Sequence, residues 1–211
     1  MSVTMRAYAY IDGFNLYYRG LRRTPYKWLN VDLLVRELLA ADDDVLLIRY
    51  FTADVSPRSG SPKAPERQQA YMRALRTIPN LRVQKGRFLP KQKSRPLVGQ
   101  EQTYVRVHDT EEKGSDVNLA TSLLNDAFRE RFDVALVLSQ DTDLIEPLRI
   151  VKHDLGLTLG VGWMEATNPG KKHRRVTSFI RHITPSMLAR CQFPNPARGK
   201  SGEPLEKPIG W

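Results

Sequence analysis

A single cysteine, Cys191, stands in the 211 residues, so no intrachain disulfide can form and the small disulfide-stapled class is excluded. The four histidines, His108, His153, His173 and His182, are scattered without zinc-finger spacing and without a His-Glu-x-x-His pair. Any metal would therefore be held mainly by oxygen. Long apolar runs are missing as well. The purest, Val134 to Leu138, is far too short to cross a bilayer, and no basic amphipathic helix or lipidation signal replaces it. Met1 to Arg6 carries no charged leader followed by an apolar stretch. These absences predict a cytoplasmic protein with no membrane association. Acidic charge is in deficit: 23 Asp and Glu face 33 Lys and Arg, for a net charge of +10. Such a field attracts polyanions, nucleic acid first among them.

What is present suits one medium-sized domain, since 41% of the residues are hydrophobic and there is no internal repeat. Arg6 to Ile11 reads as a buried strand ending at Asp12-Gly13, followed by a short helix from Phe14 to Arg22. Asn30 is placed to cap a helix over Val31 to Ala40. A strand over Val45 to Val55, a loop over Ser56 to Pro65, a helix over Glu66 to Thr77 and a strand over Leu81 to Leu89 follow. Residues 90–107 form a basic excursion, polar from Pro90 to Gln102 and strand-like from Thr103 to Val107, with the pattern of a hairpin. A helix over Ser115 to Arg129 leads to the apolar strand Asp133 to Ser139, and a helix starting near Ile145 and stopped by Gly156 leads to the strand Leu157 to Trp163. This alternation predicts an α/β fold: a doubly wound, mostly parallel sheet with helices on both faces. Residues 1–168 would form that domain and 169–192 a basic segment with a short helix around Pro185 to Arg190. Residues 193–211 would be a Pro/Gly-rich tail, extended or disordered, with Trp211 able to dock.

In open α/β sheets ligands bind beyond the carboxyl ends of the strands. Asp12 ends the first strand, and Asp141 and Asp143 follow the strand that ends at Ser139. Asp116 opens the helix before that strand, and it joins the others if its helix starts at the same edge. Taken singly, each is an ordinary turn or capping aspartate. Converging carboxylates without paired bases repel one another unless a cation neutralises them, and a hard divalent ion with oxygen ligands does so.

Tyr8-Ala9-Tyr10-Ile11-Asp12-Gly13-Phe14-Asn15-Leu16, then Lys113-Gly114-Ser115-Asp116-Val117, then Leu138-Ser139-Gln140-Asp141-Thr142-Asp143-Leu144 resemble, in order, three signature blocks of the NYN domain. That family includes the LabA-like proteins and belongs with the PIN-like ribonucleases; the resemblance covers roughly Arg6 to Trp163. It implies a Mg²⁺ or Mn²⁺ site lined by Asp12, Asp116, Asp141 and Asp143, with hydrolysis of RNA that leaves a 3′-hydroxyl and a 5′-phosphate. By the same resemblance Asn15 steadies the site or meets a phosphate, Ser139 supports metal or water, and Lys113 meets substrate. Asp143 is the least firmly placed of the acids, because a residue two positions after Asp141 need not face the same way. The long basic excursion departs from the family pattern.

Two further motifs stand in the chain. Gly199-Lys200-Ser201 ends like a phosphate-binding P-loop, but Pro194 stands where its first glycine belongs and no strand precedes it. Asp141-Thr142-Asp143 also has the form of a sugar-nucleotide transferase or haloacid-dehalogenase motif, which for the dehalogenases follows the first strand and does not do so here. Excess basic charge gathers in two segments. Arg82 to Arg106 holds seven Lys or Arg against one acid, and Lys171 to Trp211 holds nine against two. Lys171, Lys172, Arg174 and Arg175 are expected to hold substrate backbone. Phe88, Tyr104 and Trp163 are candidates for stacking bases, with core packing as their alternative role. The leading expectation is a metal-dependent endoribonuclease acting on single-stranded or structured RNA, with homodimerisation left open. The alternative is a non-catalytic nucleic-acid-binding or scaffold module on the same fold. Cys191, with no evident partner, is expected to be dispensable for activity.

Overall fold

A computed structural model describes residues 4–57, 60–164 and 168–211, apart from the side chains of 88–91 and 108–113. Alternation along the first strand sets the layering. β1 (Arg6–Asp12) turns Ala7, Ala9 and Ile11 into one apolar core and Tyr10 into another, because successive side chains of a strand point to opposite faces. Both faces of β1 are therefore covered.

β1 pairs in parallel with β2 (Asp44–Thr52) on one side and β6 (Val134–Leu138) on the other. β3 (Leu81–Lys85), β7 (Thr158–Trp163) and β8 (Phe179–His182) complete a six-stranded parallel sheet of order β3-β2-β1-β6-β7-β8. The chain thus walks outward from β1 to β3 and then returns to the far side of β1. The winding reverses between β1 and β6. Beneath one face lie α2 (Val31–Leu38), α3 (Ala64–Leu75) and α7 (Pro185–Arg190), with Leu34, Met72 and Leu188 in the core. The other face is covered by α4 (Ser115–Phe128) and α5 (Ile145–Arg149), through Leu119, Leu123 and Leu148. Asn30 caps α2, its side chain accepting from the amides of Asp32 and Leu33 at 3.1 and 3.4 Å. The α/β, doubly wound architecture read from the sequence is the one observed.

Three segments differ from their sequence reading. The strand expected to reach Leu89 stops at Lys85, and residues 87–113 form an antiparallel ribbon, β4 (Arg87–Leu97) with β5 (Gln100–Lys113). Proline is tolerated in it at Pro90 and Pro96 because a two-stranded ribbon has two free edges. β8 went unanticipated. It fits because Gly160 on β7 leaves room for the Phe179 ring, which would lie 2.1 Å from a Cβ there.

The tail expected to be extended or disordered is folded back instead. β9 (Ala197–Arg198) pairs with β10 (Pro204–Leu205), Phe193, Ala197 and Leu205 are buried, and Trp28 donates to the Pro194 carbonyl at 3.1 Å. Trp211 meets the Tyr71 ring edge-on at 5.7 Å, the docking its size allows. Proline and glycine conceal these few apolar anchors when composition is read as an average. Removing residues 193–211 should therefore lower the melting temperature by several degrees, because it uncovers Trp28 and Tyr71. A differential scanning fluorimetry trace unchanged by the truncation would return the tail to the disordered class.

Candidate active site

β1 ends at Asp12, and its carboxylate performs two local tasks. Oδ1 accepts from the amides of Phe14 and Asn15 at 3.1 and 2.9 Å, capping α1 (Gly13–Asn15), which continues as a π-helical segment through Leu21. Oδ2 accepts from the Ser139 hydroxyl at 3.1 Å. Gly13 is required for this turn. A Cβ there would lie 2.7 Å from the Tyr50 ring and 2.8 Å from the Phe51 carbonyl.

The loop after β6 is tied to the same place. Asn15 Oδ1 accepts from the Gln140 amide at 3.2 Å, and Ser139 Oγ accepts from the Asp141 amide at 3.3 Å. Asp141 then caps the 3₁₀ turn Thr142–Leu144, its Oδ1 accepting from the Asp143 amide at 3.0 Å. Ser139 thereby joins the two acids through one hydroxyl, and both sit where the winding reverses, the position at which open sheets of this kind bind ligands.

The electrostatics are unusual for so constrained a group. Asp12 is 5% exposed, and burial raises its pKa above the ordinary aspartate range. The backbone and Ser139 hydrogen bonds oppose the rise, and the nearby charge of Asp141 adds to it. No lysine or arginine pairs with Asp12 among the described residues.

Asp116 stands in the first turn of α4, half-buried. Its neighbour Ser115 donates to the carbonyl of Thr52, the last residue of β2, at 3.4 Å, so α4 begins at the same edge of the sheet as Asp12. Asp143 is exposed. The Lys113 and Phe88 side chains lie outside the described residues. Among the described residues no group of three or more His, Cys, Asp or Glu is gathered to hold a metal ion. The charges of Asp12 and Asp141 act on each other.

Lys171, Lys172, Arg174 and Arg175 are exposed on a short helix, α6 (Lys171–Arg175), and His173 between them is buried. The His173 ring meets Trp163 edge-on at 5.2 Å, and the neighbouring Asp141 acts on its protonation, so the basic helix lies beside the acid pair. Burial lowers the His173 pKa. Sequence reasoning missed His173 because a lone histidine within a basic run reads as solvated. It also missed Gln140. Trp163, a candidate for stacking bases, is 6% exposed and takes the alternative role of core packing. The Gln140 side-chain amide, Trp163 Nε1 and His173 Nε2 are buried with no hydrogen-bond partner among the described residues. Exposed aromatic surface comes instead from Tyr18, stacked on Phe14 at 6.4 Å and covered by Arg22 at 5.6 Å, and from Tyr104 on the ribbon.

Known proteins resemble this chain in sequence and in fold. The chain is 28% identical, over its whole length and 76% of the relative's, to 6-hydroxy-3-succinoylpyridine 3-monooxygenase HspA of Pseudomonas putida. A crystallised protein of unknown function from Vibrio parahaemolyticus shares the fold, with a TM-score of 0.57 at 15% identity, covering 88% of this chain and 97% of that one. The NYN domain matches residues 6–182, from the first strand of the sheet to the last. The chain belongs to the NYN domain family, which is nuclease-like.

Proposed function

We propose that the protein is a divalent-metal-dependent endoribonuclease that hydrolyses RNA phosphodiester bonds beside Asp12 and Asp141. The observation that carries this reading is a buried carboxylate next to a second one, at the switch point of a parallel sheet, with no basic side chain paired to it among the described residues. Two carboxylates and a hydroxyl suit Mg²⁺ or Mn²⁺, since Mg²⁺ characteristically takes one or two protein carboxylates, keeps several waters and completes its shell with substrate phosphate. A bound ion would acidify water and polarise the phosphoryl oxygen.

The protein's part is placement. Ser139 and the α1 amides fix the Asp12 carboxylate, and Asn15 holds the loop that brings Asp141 alongside. Asp116, from the start of α4, and Asp143, from the rim, are proposed to complete the acidic edge through water or substrate. Asn15 and Lys113 are proposed to meet phosphate. Lys171, Lys172, Arg174 and Arg175 on α6 are proposed to hold the RNA backbone.

The relative's name supports a second reading, oxygenation of a pyridine-type ring. Oxygen uptake by the purified protein with 6-hydroxy-3-succinoylpyridine and a two-electron donor, in the absence of any RNA cleavage, would put that reading first.

Burial of its charge makes Asp12 costly to stability. Its folded-state pKa is raised, so the folded protein holds the proton longer, and stability falls as pH rises from the ordinary aspartate range through the folded pKa. Asp12→Asn keeps the Oδ1 acceptor. It should melt a few degrees above wild type at neutral pH, and this advantage should vanish below about pH 4. Mg²⁺ or Mn²⁺ should raise the melting temperature of wild type and leave Asp12→Asn unmoved. A wild type indifferent to both ions would remove the cation from this site.

Asp141→Asn separates chemistry from folding. Asparagine can still accept from the Asp143 amide, so circular dichroism should be unchanged. RNA cleavage should fall by orders of magnitude, with RNA affinity held or increased because a charge facing phosphate is gone. Equal cleavage time courses for the two proteins would mean that the site is elsewhere.

A further inference from the structure

A second basic surface lies across the sheet from α6. A groove of about 830 Å³ runs along the outer edge of β3, with Arg82 and Lys85 on the strand, Arg76 at the end of α3, Lys200 in the tail turn, and Ile78 and Leu81 in its wall. None of its lining residues is acidic. Lys85 is paired with Asp54 at 2.6 Å. Arg82 donates to the carbonyls of Pro79 and Leu81, which fixes its guanidinium without neutralising it. Arg76 and Lys200 are exposed.

Lys200 reaches the groove because the tail docks. The turn that carries it is no phosphate loop, since the Ser201 amide is taken by the Glu203 carboxylate at 3.0 Å and the Gly199 amide by the Glu203 carbonyl at 2.7 Å. Side-chain charge is therefore what this turn offers an anion.

We propose that this groove binds the phosphodiester backbone of single-stranded RNA and leads it toward the acid pair, an inference that rests on the nuclease reading. The groove is open and its cations are spread out, which fits a repeating anion better than a small one. The strand alone extends about 13 Å between Leu81 and Lys85. The apolar residues between the charges suit unpaired bases and riboses, which a duplex hides. Direction follows from the sheet. β3 and β1 run parallel, two strand spacings or about 10 Å apart, so the Lys85 end of the groove opens onto the edge where Asp12 sits. Gly86, just beyond, is bonded to the Thr52 carbonyl at that same edge. RNA lying along β3 would cross the acids and meet α6 on the far side.

The test uses full-length Asp12→Asn protein, so that binding is read without cleavage, and a labelled single-stranded RNA oligonucleotide titrated by fluorescence anisotropy at several salt concentrations. Adding Arg76→Gln, Arg82→Gln and Lys200→Gln together should weaken binding about tenfold at low salt. It should also reduce the slope of log affinity against log salt by about 2, at roughly 0.7 for each phosphate no longer neutralised. A duplex of the same sequence should be affected less. If the triple variant melts below its parent, Lys200→Gln alone, on an exposed turn, should still reduce the slope by about 0.7. A parent that binds RNA with a slope these changes leave unaltered overturns the track. Cleavage by the wild type would in that case leave the nuclease reading standing. A parent that binds no RNA overturns both.

Discussion

The carboxylate of Asp12 has to close the central strand, start the helix that follows and tolerate a second negative charge beside it. These demands propagate outward. Gly13 must lack a side chain because the turn passes against Tyr50 and Phe51. Ser139 must carry a hydroxyl that accepts from Asp141 while donating to Asp12. Asn15, held by the helix that Asp12 caps, returns to fix the Gln140 amide. The loops after β1 and β6 are thus one hydrogen-bonded unit, although they lie more than a hundred residues apart in the chain.

A second buried aspartate in the same protein shows what Asp12 lacks. Asp126 is completely buried and accepts from Tyr10 at 2.9 Å, Arg49 at 2.9 Å and Arg131 at 2.8 Å. Its charge is matched by two guanidiniums, with a phenol completing the shell, as buried ions generally require. Among the described residues Asp12 has hydrogen-bond donors but no cationic partner, and its acidic neighbour increases the deficit. The difference between the two sites is the physical ground for reading one as structural and for proposing an ion at the other.

Period and punctuation made much of this legible in the sequence. The unbroken apolar run of β6, the Asn30 cap, the strand-ending Asp12-Gly13 and the helical stripe after Gly114 are local signals, and each element lies close to where they put it. Features that depend on distant partners were not legible. β8 is short, polar at its exposed end and makes sense only opposite Gly160. The tail's few anchors find their receptors at Trp28 and Tyr71, far upstream. His173, Gln140 and Trp163 become notable only when folding buries side-chain polar atoms that find no partner among the described residues. The acidic residues were found by type, by their places at strand ends and by family resemblance, and the strand order that sets β1 beside β6 brings Asp12 next to Asp141.

The β4–β5 ribbon belongs to a different regime from the sheet. Its strands pair with each other, from Arg87 opposite Lys113 to Leu97 opposite Gln100 with a register shift after Pro96, and neither is a member of the six-stranded sheet. Two-stranded ribbons are at best marginally stable alone, so the distal rungs can open and close without disturbing the domain beneath. The same independence frees its length. Residues can be added or removed in cross-strand pairs at the Val98-Gly99 tip, which lengthens or shortens the arm while β3, α4 and the acidic edge keep their register. The ribbon is therefore the part of this molecule in which reach can be altered by insertion or deletion without cost to the machinery at its base.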